Sequence, residues 1–345
     1  SRGIKSPAVR RRPGNSPRRQ LTLVPLTLAV LQIVGGVLYL LMGGDLLVRG
    51  AMALARTARI SPIVVGLTVV ALGTSAPELV VTLQAAIGGY PEIAIANVIG
   101  SNIANVLLVM SVPALIYPMA CDQPSARVDA VFMLVVMGVF YVMCLDGVIS
   151  RSDGFLLLAG LVLFLAMQAR TEWASDPGPG GRGDLPMILG LPTKRGTIAL
   201  LILAGIIMLP VGADLLIDGA IGLGESFGIP NQVMGLTVIA VSTSVPELAT
   251  TLVAAWKRQA DVAVGNVIGS NILNILGITG AASLASLREL EVSSHFLTLD
   301  IPLMFASAAI LTIVLFRKAA IGQRLGGAML GLYLMYIFLL VSARV

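Results

Sequence analysis

The sequence predicts an all-α polytopic membrane protein: ten transmembrane helices in two five-helix repeats that run through the bilayer in opposite directions. Three observations predict it. The 345 residues are 57% hydrophobic and only 12% charged, with a mean hydropathy of +0.93, whereas soluble domains carry about 25% charged residues. Apolar runs long enough to span a bilayer, about 20 residues each, recur along the chain. The sequence also repeats itself: the 44 residues from Gly66 match those from Gly235 at a constant offset of 169, without a gap, and are identical at 24 positions.

This composition excludes a cytosolic enzyme, a disordered protein and a nucleic-acid binder as first readings. The net charge of +5 does not imply a nucleic-acid partner, because seven of the 23 basic residues lie in the first 20 positions and most others flank apolar runs. Cys121 and Cys144 have neither metal-type nor disulfide-framework spacing.

The elements follow in order. Residues 1–20 are basic and rich in Pro, Gly and Ser, the composition of a disordered tail. The first repeat, 21–170, holds apolar spans expected near 24–48, 61–87, 92–118, 127–148 and 153–169. The stretch 171–196 is a linker by its Gly and Pro content. The second repeat, 197–345, holds spans near 197–219, 230–255, 260–286, 295–316 and 324–343. Spans one and six end in GGDLLVRGA and GADLLIDGA at the same offset. Spans two, three, seven and eight contain Gly, Pro, Ser, Thr, Asn and Glu, which are costly in lipid and must face protein or water. The remaining spans are plainly apolar and form the frame.

Moving from Gly66 to Gly235 takes five crossings on this span count, and an odd number reverses direction. Inverted repeats meeting near the midplane are a transporter architecture. Loops after odd-numbered spans hold Arg56, Arg59, Arg127, Arg170, Arg182, Lys194, Arg195, Lys257, Arg258, Arg317, Lys318 and Arg324, against little beyond Arg151 and Arg288 after even-numbered ones. The positive-inside rule puts the first group in the cytoplasm and the N-terminus outside, although the basic tail pulls the other way. A multi-pass protein of the cell membrane follows, with the lipid bilayer and inorganic cations as partners and no obligatory protein partner evident.

The repeated motifs carry the chemistry. In Thr74-Ser75-Ala76-Pro77-Glu78 the proline removes a helix hydrogen bond and clashes with the preceding turn. The helix should break there and free carbonyls such as that of Ala71. Thr243-Ser244-Val245-Pro246-Glu247 should do the same with Ala240. Ser75 and Glu78, three apart, should share a face once the helix resumes. Ser101 and Asn105 lie four apart, as do Ser270 and Asn274. Asn97, Asn102, Asn266 and Asn271 are further amides, able either to join a site or to hold broken helices together. No Lys or Arg lies between Arg59 and Arg127, so Glu78 has no basic partner in its own segment; near Glu247 the only cations are Lys257 and Arg258, in a loop. An unpaired carboxylate at membrane depth is expensive, and a cation removes that cost. The donors are oxygens only, which suits a hard cation of the Ca²⁺ type, with six to eight oxygen ligands, or Na⁺. The motifs contain no Cys or His to favour Zn²⁺ or Cu⁺.

GxTxxAxGTSAPE followed by NxxGSNxxN in the first half, and GxTxxAxSTSVPE followed by NxxGSNxxN in the second, resembles the cation/calcium antiporter superfamily and is similar to the sodium/calcium exchanger branch and its bacterial homologues. The resemblance covers about residues 24–343. It implies ten transmembrane helices, a midplane site, alternating access, and exchange of Ca²⁺ against Na⁺, with K⁺ or H⁺ involved in some branches. No resident cofactor and no enzymatic activity are implied; Ca²⁺ and Na⁺ are cargo. By position, the family's cation ligands fall on Thr74, Ser75, Glu78, Ser101 and Asn105, and on Thr243, Ser244, Glu247, Ser270 and Asn274, with the carbonyls of Ala71 and Ala240. Some sodium/calcium exchangers carry Asp where this chain has Asn274, so two carboxylates are expected here rather than three. Proton-coupled antiport is the competing reading, and a cation channel a remoter one.

Other residues are read structurally. Asp45 and Asp214 could form an ion path or cap neighbouring helices, with the structural role favoured. Glu92 and Asp261 suit helix N-termini. His295 lies at a span entrance. The methionines are packing and lipid contacts. Gly43, Gly44, Gly50 and Gly219 permit close helix contact, and Trp173 and Trp256 are candidate interfacial anchors.

Overall fold

A computed structural model describes residues 23–120, 123–174, 194–227 and 243–342. The basic tail, most of the linker and the first part of the seventh expected span, including Ala240, lie outside the described residues.

The described chain is helical. Helix α1 spans Leu23–Ala58. A bent pair follows, α2 (Pro62–Thr74) and α3 (Ala76–Ile87), meeting at 49°. Next come α4 (Pro91–Ile116) and α5 (Pro124–Cys144), then α6 (Arg151–Ala174). The second half contains α7 (Arg195–Ser226), α8 (Val245–Trp256), α9 (Ala260–Ala285) and α10 (Phe296–Phe316), and α11 (Gln323–Ser342). Eight of these helices are long and apolar enough to cross a membrane, or nine spans with the bent pair, among the described residues. Two short strands, β1 (Val148–Ile149) and β2 (Leu290–Glu291), pair antiparallel and join the loops after α5 and α9.

Most boundaries fall within a few residues of those read from hydropathy. Helix α1 differs, running to Ala58 rather than ending near 48. Arg49 and Arg56 interrupt the apolar run, but the segment is rich in Ala, Leu, Met and Arg, all strong helix formers. At 36 residues α1 measures roughly 54 Å, well beyond a hydrocarbon core of about 30 Å.

Burial separates an inner pair from an outer ring. The apolar heart of α9 is 94% buried and that of α4 is 72% buried, against 22% for α1, α6 and α11. The polar motif helices are thus the centre of the molecule, and the uniformly apolar spans surround them. Backbone contact achieves this. A methyl group on Gly269 of α9 would sit 2.4 Å from the Leu67 carbonyl oxygen of α2, and one on Gly265 would sit 2.6 Å from that of Ile63. Helices α1 and α7 approach equally closely: a Cβ on Gly50 would meet Ile202 at 2.7 Å and one on Gly219 would meet the Ala29 carbonyl at 2.7 Å. Gly43 and Gly44 also lie in close contacts, so the expected role of these glycines is borne out.

The inner helices also carry π-helical turns that hydropathy does not reveal, at Gly66–Val70, Asn105–Val109 and Leu273–Thr279. An extra residue in a turn re-aims the side chains around it, and such turns recur at functional sites.

Candidate cation site

The helix that follows each motif serine starts in the same way. Ser75 adopts φ −84°, ψ 8°, and Ser244 adopts φ −89°, ψ 5°, both in the bridge region between helix and strand. Pro77 and Pro246 occupy the second position of α3 and α8, where the missing N–H costs nothing. Glu78 and Glu247 fall in the first turn of those helices, where the amide dipoles favour a negative charge. Both glutamates are fully buried.

Tertiary structure brings the two motif sets together through contacts between the halves. Ser75 Oγ donates to Glu247 Oε1 at 2.9 Å. Ser101 and Thr243 hydroxyls lie 3.2 Å apart. Thr74 Oγ1 donates to Asn266 Oδ1 at 3.2 Å. Asn105 Nδ2 donates to Asn271 Oδ1 at 3.1 Å, and Asn274 Nδ2 donates to Asn102 Oδ1 at 3.2 Å. These last two bonds are exact counterparts at the offset of 169. The Ser75 bond sets the Glu247 carboxyl beside the hinge from which the Glu78 helix starts. Ser270 is buried on α9, beside these partners.

Seven oxygens of the predicted set are buried without a hydrogen-bond partner among the described residues: both of Glu78, Oε2 of Glu247, the hydroxyls of Ser244 and Ser270, and Oδ1 of Asn105 and Asn274. Buried polar atoms without partners are rare because each forfeits its hydration. Among the described residues, no group of three or more His, Cys, Asp and Glu side chains is gathered in one place. The cluster therefore holds two carboxylates, and its other donors are neutral.

One expectation needs correction. The Ala71 carbonyl is not freed by the break: it accepts the Ser75 amide at 2.9 Å and the Thr74 hydroxyl at 3.3 Å. The helix carries its last normal bond up to Ser75 before bending, so the carbonyl left without its i+4 donor is that of Gly73, opposite Pro77. The Ser75 hydroxyl itself reaches across to Glu247 of the other half.

The further amides divide by role. Asn97 Nδ2 donates to Thr82 Oγ1 at 2.9 Å and to the Glu78 carbonyl at 3.4 Å, and Asn266 Nδ2 donates to Thr251 Oγ1 at 3.2 Å. These bonds tie each glutamate helix to the amide helix beside it. Thr82 and Thr251, one turn beyond the glutamates, escaped the sequence reading; their identity in both copies was the available signal. Asn102 and Asn271 donate to the sulfurs of Met304 and Met133, so two methionines do more than pack.

Away from the cluster, Asp45 makes ion pairs with Arg49 and Lys257. Glu92 and Asp261 fall in the first turns of α4 and α9, as expected. His295 Nε2 lies 3.6 Å from Asp300.

Comparison with known proteins agrees with this architecture. The family model described as sodium/calcium exchanger protein matches residues 28–170 and 197–342. The putative antiporter CaxA of Alkalimonas amylolytica is 36% identical over 75% of this chain and 81% of its own length. The inner membrane protein YrbG of Escherichia coli is 33% identical over 91% of this chain and 97% of its own. A structure of the sodium-calcium exchanger NCX_Mj soaked with Na⁺ and Sr²⁺ superposes with a TM-score of 0.76 at 29% identity, covering 90% of this chain and 98% of that one. This chain belongs to the sodium/calcium exchanger protein family.

Proposed function

We propose that this protein is a secondary-active antiporter that exchanges Ca²⁺ for Na⁺ across the cell membrane by alternating access at Glu78 and Glu247. The observation that carries the reading is the coincidence of two sets. Seven of the oxygens expected from the sequence to bind a cation are left buried and unpartnered among the described residues, three of them on the two carboxylates, while the Thr74, Ser75, Ser101 and Thr243 hydroxyls are hydrogen-bonded. Seven is within the six to eight oxygens Ca²⁺ takes. The names of CaxA, an antiporter, and NCX_Mj, a sodium-calcium exchanger, support the cargo and the exchange.

The architecture in this reading is ten transmembrane helices in two inverted five-helix halves, with the N-terminus extracytoplasmic. The nine spans available among the described residues support it, as does α8 starting after Ser244 in the way α3 starts after Ser75. The ligand set is Thr74, Ser75, Glu78, Ser101 and Asn105 with Thr243, Ser244, Glu247, Ser270 and Asn274.

Coupling follows from the charge. Two buried carboxylates without a cation repel each other in a medium of low polarity, so the empty site is costly to enclose. One Ca²⁺ balances them. The carrier therefore reorients when loaded, which makes it an exchanger rather than a leak. A channel would conduct with no opposed ion and would not need this enclosure.

One observation favours a second coupling ion. Asn105 and Asn274 are both amides, so the site carries two negative charges, which two protons would also neutralise; three Na⁺ would leave an excess positive charge. Ca²⁺ uptake into proteoliposomes separates the readings. Uptake driven by an outward Na⁺ gradient and lost in Glu78→Gln is the expected result. Uptake driven only by a pH gradient would replace Na⁺ with H⁺, and uptake requiring neither would overturn antiport.

A further inference from the structure

A second site lies on the outer surface, where α1 passes the C-terminal end of α8. A cavity of about 580 Å³ opens there. Its apolar part is formed by Leu41, Met42 and Val253, and its polar part by Asp45, Arg49 and Lys257, with Trp256 beside them. Arg49 Nε donates to Asp45 Oδ2 at 2.6 Å, and Lys257 pairs with the other oxygen of the same carboxylate. One acid thus serves two cations, leaving one uncompensated positive charge. Arg49 and Lys257 remain 40% and 27% exposed, so their other N–H donors stay accessible. Trp256 is 70% exposed at the end of its helix, the position of an interfacial anchor.

The other half provides an internal contrast. At the offset of 169, Asp45 and Arg49 correspond to Asp214 and Asp218, while Trp256 and Lys257 correspond to Ile87 and Gly88. The corresponding positions carry two exposed acids, no cation and no indole. The basic pair and tryptophan are therefore a property of one face of the molecule, not a by-product of the repeat. Arg56, Arg59 and Arg258 lie in the stretches that follow the same two spans, the cytoplasmic side by the positive-inside rule.

We propose that this cavity binds an anionic phospholipid of the cytoplasmic leaflet. Its phosphate is held between Arg49, Lys257 and the Trp256 indole N–H, and an acyl chain lies along Leu41, Met42 and Val253. Basic pockets between transmembrane helices on this side recognise acidic head groups in this way. Asp45 plays two parts: it holds the cations in position and trims the site to a single positive charge, matching a phosphodiester.

Quenching of Trp256 by brominated lipid tests this. The protein has two tryptophans, so Trp173→Phe leaves Trp256 as the sole reporter. This protein is reconstituted in phosphatidylcholine vesicles with a small fraction of either brominated phosphatidylglycerol or brominated phosphatidylcholine. The expected result is quenching at a several-fold lower fraction of the anionic lipid. That preference falls about fivefold in Lys257→Gln, one cation's share, and rises in Asp45→Asn, which removes the negative charge. Opposite shifts from neighbouring substitutions cannot come from misfolding. Equal quenching by the two lipids in the parent protein, or a preference that neither substitution moves, would overturn the proposal.

Discussion

Ser75 and Ser244 occupy the same place in the two motif copies, yet their hydroxyls are in different states. Ser75 Oγ donates to Glu247 Oε1 at 2.9 Å, while Ser244 Oγ is buried without a partner among the described residues. Replacing each by Ala in the ion-free protein should therefore give unequal results. Ser75→Ala removes a hydrogen bond to a charged group and leaves Glu247 with both oxygens unsatisfied in a dry site, at a cost of about 2 kcal/mol. Ser244→Ala deletes a hydroxyl that has already lost its hydration, and should be neutral or stabilising by about 1 kcal/mol. By the unfolding entropy typical of a chain this long, the first corresponds to a fall in Tm of roughly 3 °C. Adding Ca²⁺ should remove the contrast, because both hydroxyls then act as ligands: each variant should bind Ca²⁺ about tenfold more weakly than the parent protein, the value of one oxygen contact. Thermal unfolding of purified protein across a Ca²⁺ titration, with chelator as the zero point, measures both effects. If Ser244→Ala lowers the ion-free Tm as much as Ser75→Ala, the unpartnered oxygen is not a stored cost, and the reasoning from it fails.

Two further predictions concern the same centre. Asn274→Asp replaces an amide that donates to Asn102 Oδ1 at 3.2 Å with a third carboxylate. The ion-free protein should lose about 1–3 kcal/mol while divalent-cation binding tightens, read as a steeper rise of Tm with Ca²⁺; an unchanged Ca²⁺ dependence would place residue 274 outside the site. Gly269→Ala puts a methyl group 2.4 Å from the Leu67 carbonyl oxygen, where the obstacle is backbone that cannot rotate away. It should cost about 1–3 kcal/mol or more and reduce transport, whereas Gly138→Ala, whose nearest neighbour is a Phe305 ring atom at 4.0 Å, should be tolerated in both assays.

Much of the fold was legible because its signals are local. Lipid requires long apolar runs, so hydropathy located most helices to within a few residues. Duplication left a constant offset of 169 that carried each motif from one half to the other. Proline without an N–H marked the first turn of both glutamate helices, and the lack of Lys and Arg around Glu78 marked it as needing a cation. These features are properties of a residue and its near neighbours.

Other features depend on how helices far apart in the chain come to lie beside one another, and spacing does not encode that. No local rule pairs Ser75 with Glu247 rather than Glu78, or crosses Asn105 with Asn271 and Asn274 with Asn102. The lost carbonyl partner shifted from Ala71 to Gly73 because the last helical bond before the bend survives. The ion pair between Asp45 and Lys257 joins α1 to the end of α8 across 212 residues. The sequence by itself determined which residues are present in duplicate and that they must be shielded from lipid. Tertiary structure decided which of each duplicate pair is hydrogen-bonded and which is left open. The two halves differ in sequence and in how their helices pack, so Ser75 and Ser244 meet different partners although Asn105 and Asn274 do not.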